Sequence, residues 1–97
     1  MLHGSLDEAV AVVLIMEHGR LWLASTRGYA MIPEGFPIDE GVVGRAVREG
    51  RAQLVLDVAA DADFVDVVPG VLSELAIPLV AAGEVVGVLD IETRSPL

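Results

Sequence analysis

The sequence predicts an α+β domain, a mostly antiparallel sheet with one helix set between its strands. Three observations carry this. Apolar runs of strand length, rich in valine, leucine and isoleucine, recur along the chain. Two pairs of these runs are joined by glycine-bearing links short enough for hairpins. One segment alone, residues 40–49, spaces its apolar residues as a helix does. A chain of 97 residues makes a single domain over 1–97.

Residues 9–17 and 20–27 read as paired strands, because His18-Gly19 supplies a two-residue link with glycine where a positive φ is needed. Residues 28–37 carry repeated glycine and proline breaks around Tyr29, Met31 and Phe36, which predicts an irregular loop of the kind that lines pockets. In the helix over 40–49, Asp39 is placed to cap the first turn. Val42, Val43, Ala46 and Val47 form one stripe, and Gly50 supplies the stop. Residues 53–58 form a third strand, followed by an acidic loop to Gly70.

Strands over 72–80 and 84–93 flank Ala81-Ala82-Gly83, read as a three-residue hairpin loop. That loop pairs Val80 with Glu84, and therefore Glu74 with Asp90 and Ala76 with Val88. One face of the hairpin then shows Leu75, Ile77, Leu79, Val85, Leu89 and Ile91, the expected core. The other shows Glu74, Ala76, Val86, Val88, Asp90 and Glu92. Carboxylates facing each other on it are destabilising until a proton or a cation comes between them.

Fifteen Asp and Glu against six Arg and no Lys leave a net charge of -9, which repels a nucleic-acid backbone. The longest apolar run, residues 9–16, is far short of the roughly 20 residues a bilayer requires, so no membrane is expected. No secretory leader is read at the start of the chain, and a cytoplasmic location is expected. Zero cysteines remove disulfides, thiolate metal sites and cysteine nucleophiles. His3 and His18 read as solvated, and Asp57, Asp61, Asp63 and Asp66 lack the glycine and terminal glutamate of a calcium loop, so no metal and no cofactor is expected.

Four segments taken in order, DEGVVGRAV at 39–47, QLVLDVAAD at 53–61, SELAIPL at 73–79 and EVVGVLDI at 84–91, resemble the successive signatures of GAF domains. The resemblance implies a GAF-like, profilin-like five-stranded sheet of order 2-1-5-4-3, with a ligand pocket between one face and the helix. It also implies terminal helices over the other face, which the 97 residues are expected to lack. Leu75, Ile77, Leu79, Leu89 and Ile91 would then be left for a second copy of the chain to cover.

Within the family, Ser73-Glu74-Leu75 and 87–91 resemble free methionine sulfoxide reductases, which implies that Glu74 and Asp90 hold a ligand's ammonium group. The reductases need thiols, and here the helix carries Val43 and the acidic loop no cysteine, so that activity is expected to be absent. Of the cyclic-nucleotide subfamily's signature only Phe64 finds a match. Trp22, Tyr29 and Phe36 are candidates to stack on a ligand. The expected function is a non-catalytic, small-molecule-sensing domain of a histidine kinase, diguanylate cyclase or transcriptional regulator. The alternatives are a ligand-free dimerisation scaffold and, third, an uncharacterised enzyme.

Overall fold

The structure, a computed structural model, describes residues 9–27, 35–65 and 70–95. In chain order these form β1 (Ala9–Glu17), β2 (Arg20–Arg27), β3 (Phe36–Pro37), α1 (Gly41–Glu49), β4 (Gln53–Val55), a 3-10 turn (Val58–Ala60), β5 (Ser73–Ala81) and β6 (Glu84–Thr93). The strands make one antiparallel sheet of order β3-β2-β1-β6-β5-β4. The sheet therefore has six strands where five were expected. The added one is Phe36–Pro37, which pairs with Leu21 and Arg20 at the sheet edge, a position where proline's missing N–H is tolerated.

The β1–β2 turn closes through His18 and Gly19, both at positive φ, 52° and 74°, the two-residue geometry that matches strand twist. The β5–β6 turn differs from expectation. Ala81 pairs with Glu84 across a two-residue Ala82-Gly83 turn, with φ of 51° and 79°. Val80 then pairs with Val85 and Leu79 with Gly87, leaving Val86 as the extra residue of a bulge. Each change moves the register by one, and the two together move it by two. Glu74 consequently faces Glu92, and Ala76 faces Asp90, yet every side chain up to Leu79 keeps its expected face.

β4 ends at Val55 instead of running to 58, because the Asp57 carboxylate accepts a hydrogen bond from the Ala59 amide (3.1 Å) and begins the 3-10 turn. Asp39 does not cap α1. The N-cap position falls on Glu40, which is extended and makes no side-chain capping bond. Gly50 ends the helix at φ 67°, its N–H donating to the Ala46 carbonyl at 2.9 Å.

Alternation places Val10, Val12 and Leu14 of β1, Ala76 of β5 and Val88 of β6 on one face, where they are buried with Val42, Val43 and Ala46 of α1. Burial of each such aliphatic side chain contributes about 1.5–3 kcal/mol. The expected core face is the less buried one: Leu75, Ile77, Leu79, Leu89 and Ile91 are all half-buried, since α1 covers the other side. Gly87 permits a close approach of β1 to β6, for a Cβ there would collide with the Leu14 carbonyl oxygen. Among the described residues no helix is long and apolar enough to cross a membrane.

Candidate ligand-binding site

The two strands that meet at the centre of the covered face bring acids into a core otherwise built of valine and alanine. Two rungs of the sheet hold them. Val10, Glu92, Glu74 and Val55 make one, and Val12, Asp90, Ala76 and Gln53 the next. Because these positions point toward α1, the carboxylates are buried: Glu74 is 5%, Asp90 3% and Glu92 3% exposed. One oxygen from each lies within 4.8 Å of the others.

These acids form the floor of a small cleft. Its walls are Val42 and Val43 from α1, Gly41 at the helix start, Phe36 from β3 and Val65 from the loop after the 3-10 turn. Gly41 adopts φ 73° to turn the chain into the helix, and Gly44 lets α1 approach residue 38 closely, a Cβ there standing 2.7 Å from the Ile38 carbonyl oxygen.

Burial raises the Asp90 carboxyl well above the ordinary carboxylate range, and the adjoining Glu74 and Glu92 push it further. Burial also raises Glu74, although its hydrogen bond with Asp90 opposes the rise. The pair thus favours a proton on Asp90, donated toward Glu74. Asp90 Oδ1 is buried and has no hydrogen-bond partner. An acceptor left so is destabilising by about 1–3 kcal/mol unless a ligand or water donates to it.

A second polar cluster fixes the wall. Arg45 of α1 donates to Gln53 Oε1 at 2.9 Å, to Asp61 at 2.9 and 3.1 Å, and to Asp63 at 3.0 Å. The guanidinium hydrogen bonds hold the Asp61 carboxyl below its usual range. The clasp ties the loop that carries Phe64 and Val65 to the helix and to β4.

Of the residues singled out in the sequence, Glu74, Asp90, Phe36 and Val43 meet at this cleft. Phe64 packs on the core rather than lining it. Trp22 lies elsewhere: it alternates with Leu21 and Leu23, which face the core, and its indole N–H donates to the Glu17 carbonyl at 3.1 Å. Tyr29 falls outside the described residues. Glu92 went unassigned as a site residue in the sequence, although its strand parity with Asp90 is the signal that finds it.

A family model described as GAF domain matches residues 2–96. The fold is shared with the type II free methionine-R-sulfoxide reductase from Thermoplasma acidophilum, at TM-score 0.87 and 21% identity over 98% of this chain and 67% of that one. It is shared with the reduced form of the Staphylococcus aureus fRMsr, at TM-score 0.83 and 30% identity, covering 98% of this chain and 62% of that one. A GAF domain from Acinetobacter phosphoenolpyruvate-protein phosphotransferase aligns at TM-score 0.77 and 19% identity, over 95% of this chain and 58% of its own. The chain thus spans 58–67% of the length of these structures. No curated protein sequence matches it at a significant level. The expectation that the chain is no enzyme is overturned, because two of these neighbours are reductases that share its fold over 98% of its length.

Proposed function

Since the chain belongs to the GAF domain family, we propose that it is the ligand-binding domain of a cytoplasmic signalling protein, and that it takes a small amino-acid-like metabolite by its ammonium group. The observation that carries this is the floor of the cleft: three buried carboxylates with oxygens within 4.8 Å, one of them unpartnered. A primary ammonium has three N–H donors and no acceptor, which suits such a floor.

The walls divide the rest of the ligand. Val42, Val43, Val65 and Phe36 offer apolar contact to a side chain. Gly41, Val42 and Val43 begin a helix whose N-cap makes no side-chain bond, so backbone N–H groups of its first turn remain for a ligand carboxylate. The name of a Neisseria meningitidis structure 26% identical to this chain, free methionine-R-sulfoxide reductase in complex with its substrate, supports free methionine or its sulfoxide as the first ligands to try. A thiol for sulfoxide reduction would come from outside these 97 residues, which contain no cysteine.

The test is thermal stability against a panel of free amino acids and their sulfoxides. A ligand at about 100 times its Kd adds roughly 2.7 kcal/mol, a readily measured rise in Tm. The rise is expected in the native chain and absent in Glu74→Gln. A panel without effect sinks the proposal. As a further part of it, a second copy pairs with the half-buried face of Leu75, Ile77, Leu79, Leu89 and Ile91, an aliphatic surface that suits a two-fold contact. Sedimentation showing a monomer at micromolar concentration removes that part.

A further inference from the structure

A cluster of acids on a protein surface is ordinarily a solvated one, but Glu74, Asp90 and Glu92 are at least 95% buried. Across the sheet Asp90 is flanked by Val12 and Ala76, and Glu74 by Val55 and Glu92, so no basic side chain is the direct cross-strand neighbour of either. Arg45 is held by Gln53, Asp61 and Asp63. The α1 side of the cleft is valine and glycine. Independently of the clustering, Asp90 Oδ1 faces no donor although Asp90 is 97% buried and lines the cleft.

We infer that Glu74, Asp90 and Glu92 form a binding site for a hard divalent cation of the Ca²⁺ or Mn²⁺ class, filled in competition with an ammonium group. Oxygens bound to Ca²⁺ at 2.3–2.6 Å stand at most about 4.6–5.2 Å apart across the ion. The three donor oxygens, all within 4.8 Å of one another, already satisfy that spacing. The donor set holds no imidazole and no thiolate, which selects oxygen-preferring cations over zinc or copper. Three protein ligands leave coordination positions toward the cleft for water.

The metal site stands on the carboxylate geometry, and only its competition with an ammonium group rests on the proposed function. Its test is a titration of the whole chain with MnCl₂, freed of other divalent ions and followed by the loss of the free Mn²⁺ paramagnetic resonance signal. One saturable Mn²⁺ per chain is expected, displaced by Ca²⁺, with affinity about tenfold or more weaker in Asp90→Asn and in Glu92→Gln. Melting curves of both variants establish that they are folded. No binding at millimolar Mn²⁺ overturns the inference, and so does binding that both folded variants retain unchanged, which would place the ion on exposed acids. Amino-acid binding without Mn²⁺ binding overturns the metal site alone. Mn²⁺ binding with no response to any amino acid supports the metal site and overturns the ammonium reading. An amino acid that stabilises the chain is expected to release bound Mn²⁺, and simultaneous binding of both overturns the shared site.

Discussion

Glu74 on β5 is the direct cross-strand partner of Glu92 on β6. Like charges so placed destabilise a sheet by up to about 1 kcal/mol even in water, and here both side chains are buried beneath α1. Asp90, one rung away, adds a third acid to the same face. A packed core of valines would be more stable without them, so the arrangement is most simply understood as one kept for what it binds.

The first consequence is an inverted pH dependence. Asp90 and Glu74 titrate above the ordinary carboxylate range in the folded state because burial disfavours their charge. They therefore hold protons at pH values where the unfolded chain, with pKa about 4, has lost them. Their stabilising contribution is full below that value and is lost as pH rises through the folded pKa values. Asp61 has the opposite sign, its contribution being present above about pH 4 and lost in more acidic solution. In buffer without divalent cations, urea midpoints are expected to fall between pH 5 and pH 8. Asp90→Asn should flatten that slope and raise stability at pH 8 by about 1–2 kcal/mol. A midpoint that climbs with pH contradicts the assignment.

Arg45 and Asp61 are coupled through paired hydrogen bonds at 2.9 and 3.1 Å, with side-chain exposures of 21% and 16%. Partly buried and bidentate, the pair exceeds an ordinary surface ion pair. A double-mutant cycle of Arg45→Met and Asp61→Asn should return a coupling of about 1 kcal/mol. Additive effects would mean the clasp contributes nothing beyond its separate residues.

Gly87 is expected to resist any side chain. Alanine there drives a Cβ into the Leu14 carbonyl and must part β1 from β6 at the centre of the sheet. Gly87→Ala should destabilise by about 1–3 kcal/mol in urea denaturation. Gly83→Ala is the control with ample space, Gly83 having no atom within 4 Å of its added Cβ and only the strain of its φ of 79°.

The sheet was legible because strand parity survives small errors. Reading a three-residue loop where Ala82-Gly83 makes a two-residue turn, and missing the bulge at Val86, each shifted β5 against β6 by one. Together they cancelled in parity, so Glu74 and Asp90 still share a face while their partners changed. Which face α1 covers was legible only through the family resemblance, since both sides of the β5–β6 hairpin are apolar near the turn. Trp22 illustrates the same limit from the other side: an aromatic residue announces packing, while only the alternation against Leu21 and Leu23 tells where. The Phe36–Pro37 strand was hidden by its own proline.

The most direct measurement of ammonium recognition is calorimetric titration of the chain with a free amino acid that stabilises it and, in parallel, with the N-acetyl form of the same amino acid. Acetylation removes the positive charge and two of the three N–H donors while leaving the side chain and carboxylate in place. Saturable binding of the free amino acid, with the acetylated one bound at least about a hundredfold more weakly, or roughly 2.7 kcal/mol, is the expected result. Equal affinity for the two forms would contradict a site built on Glu74, Asp90 and Glu92.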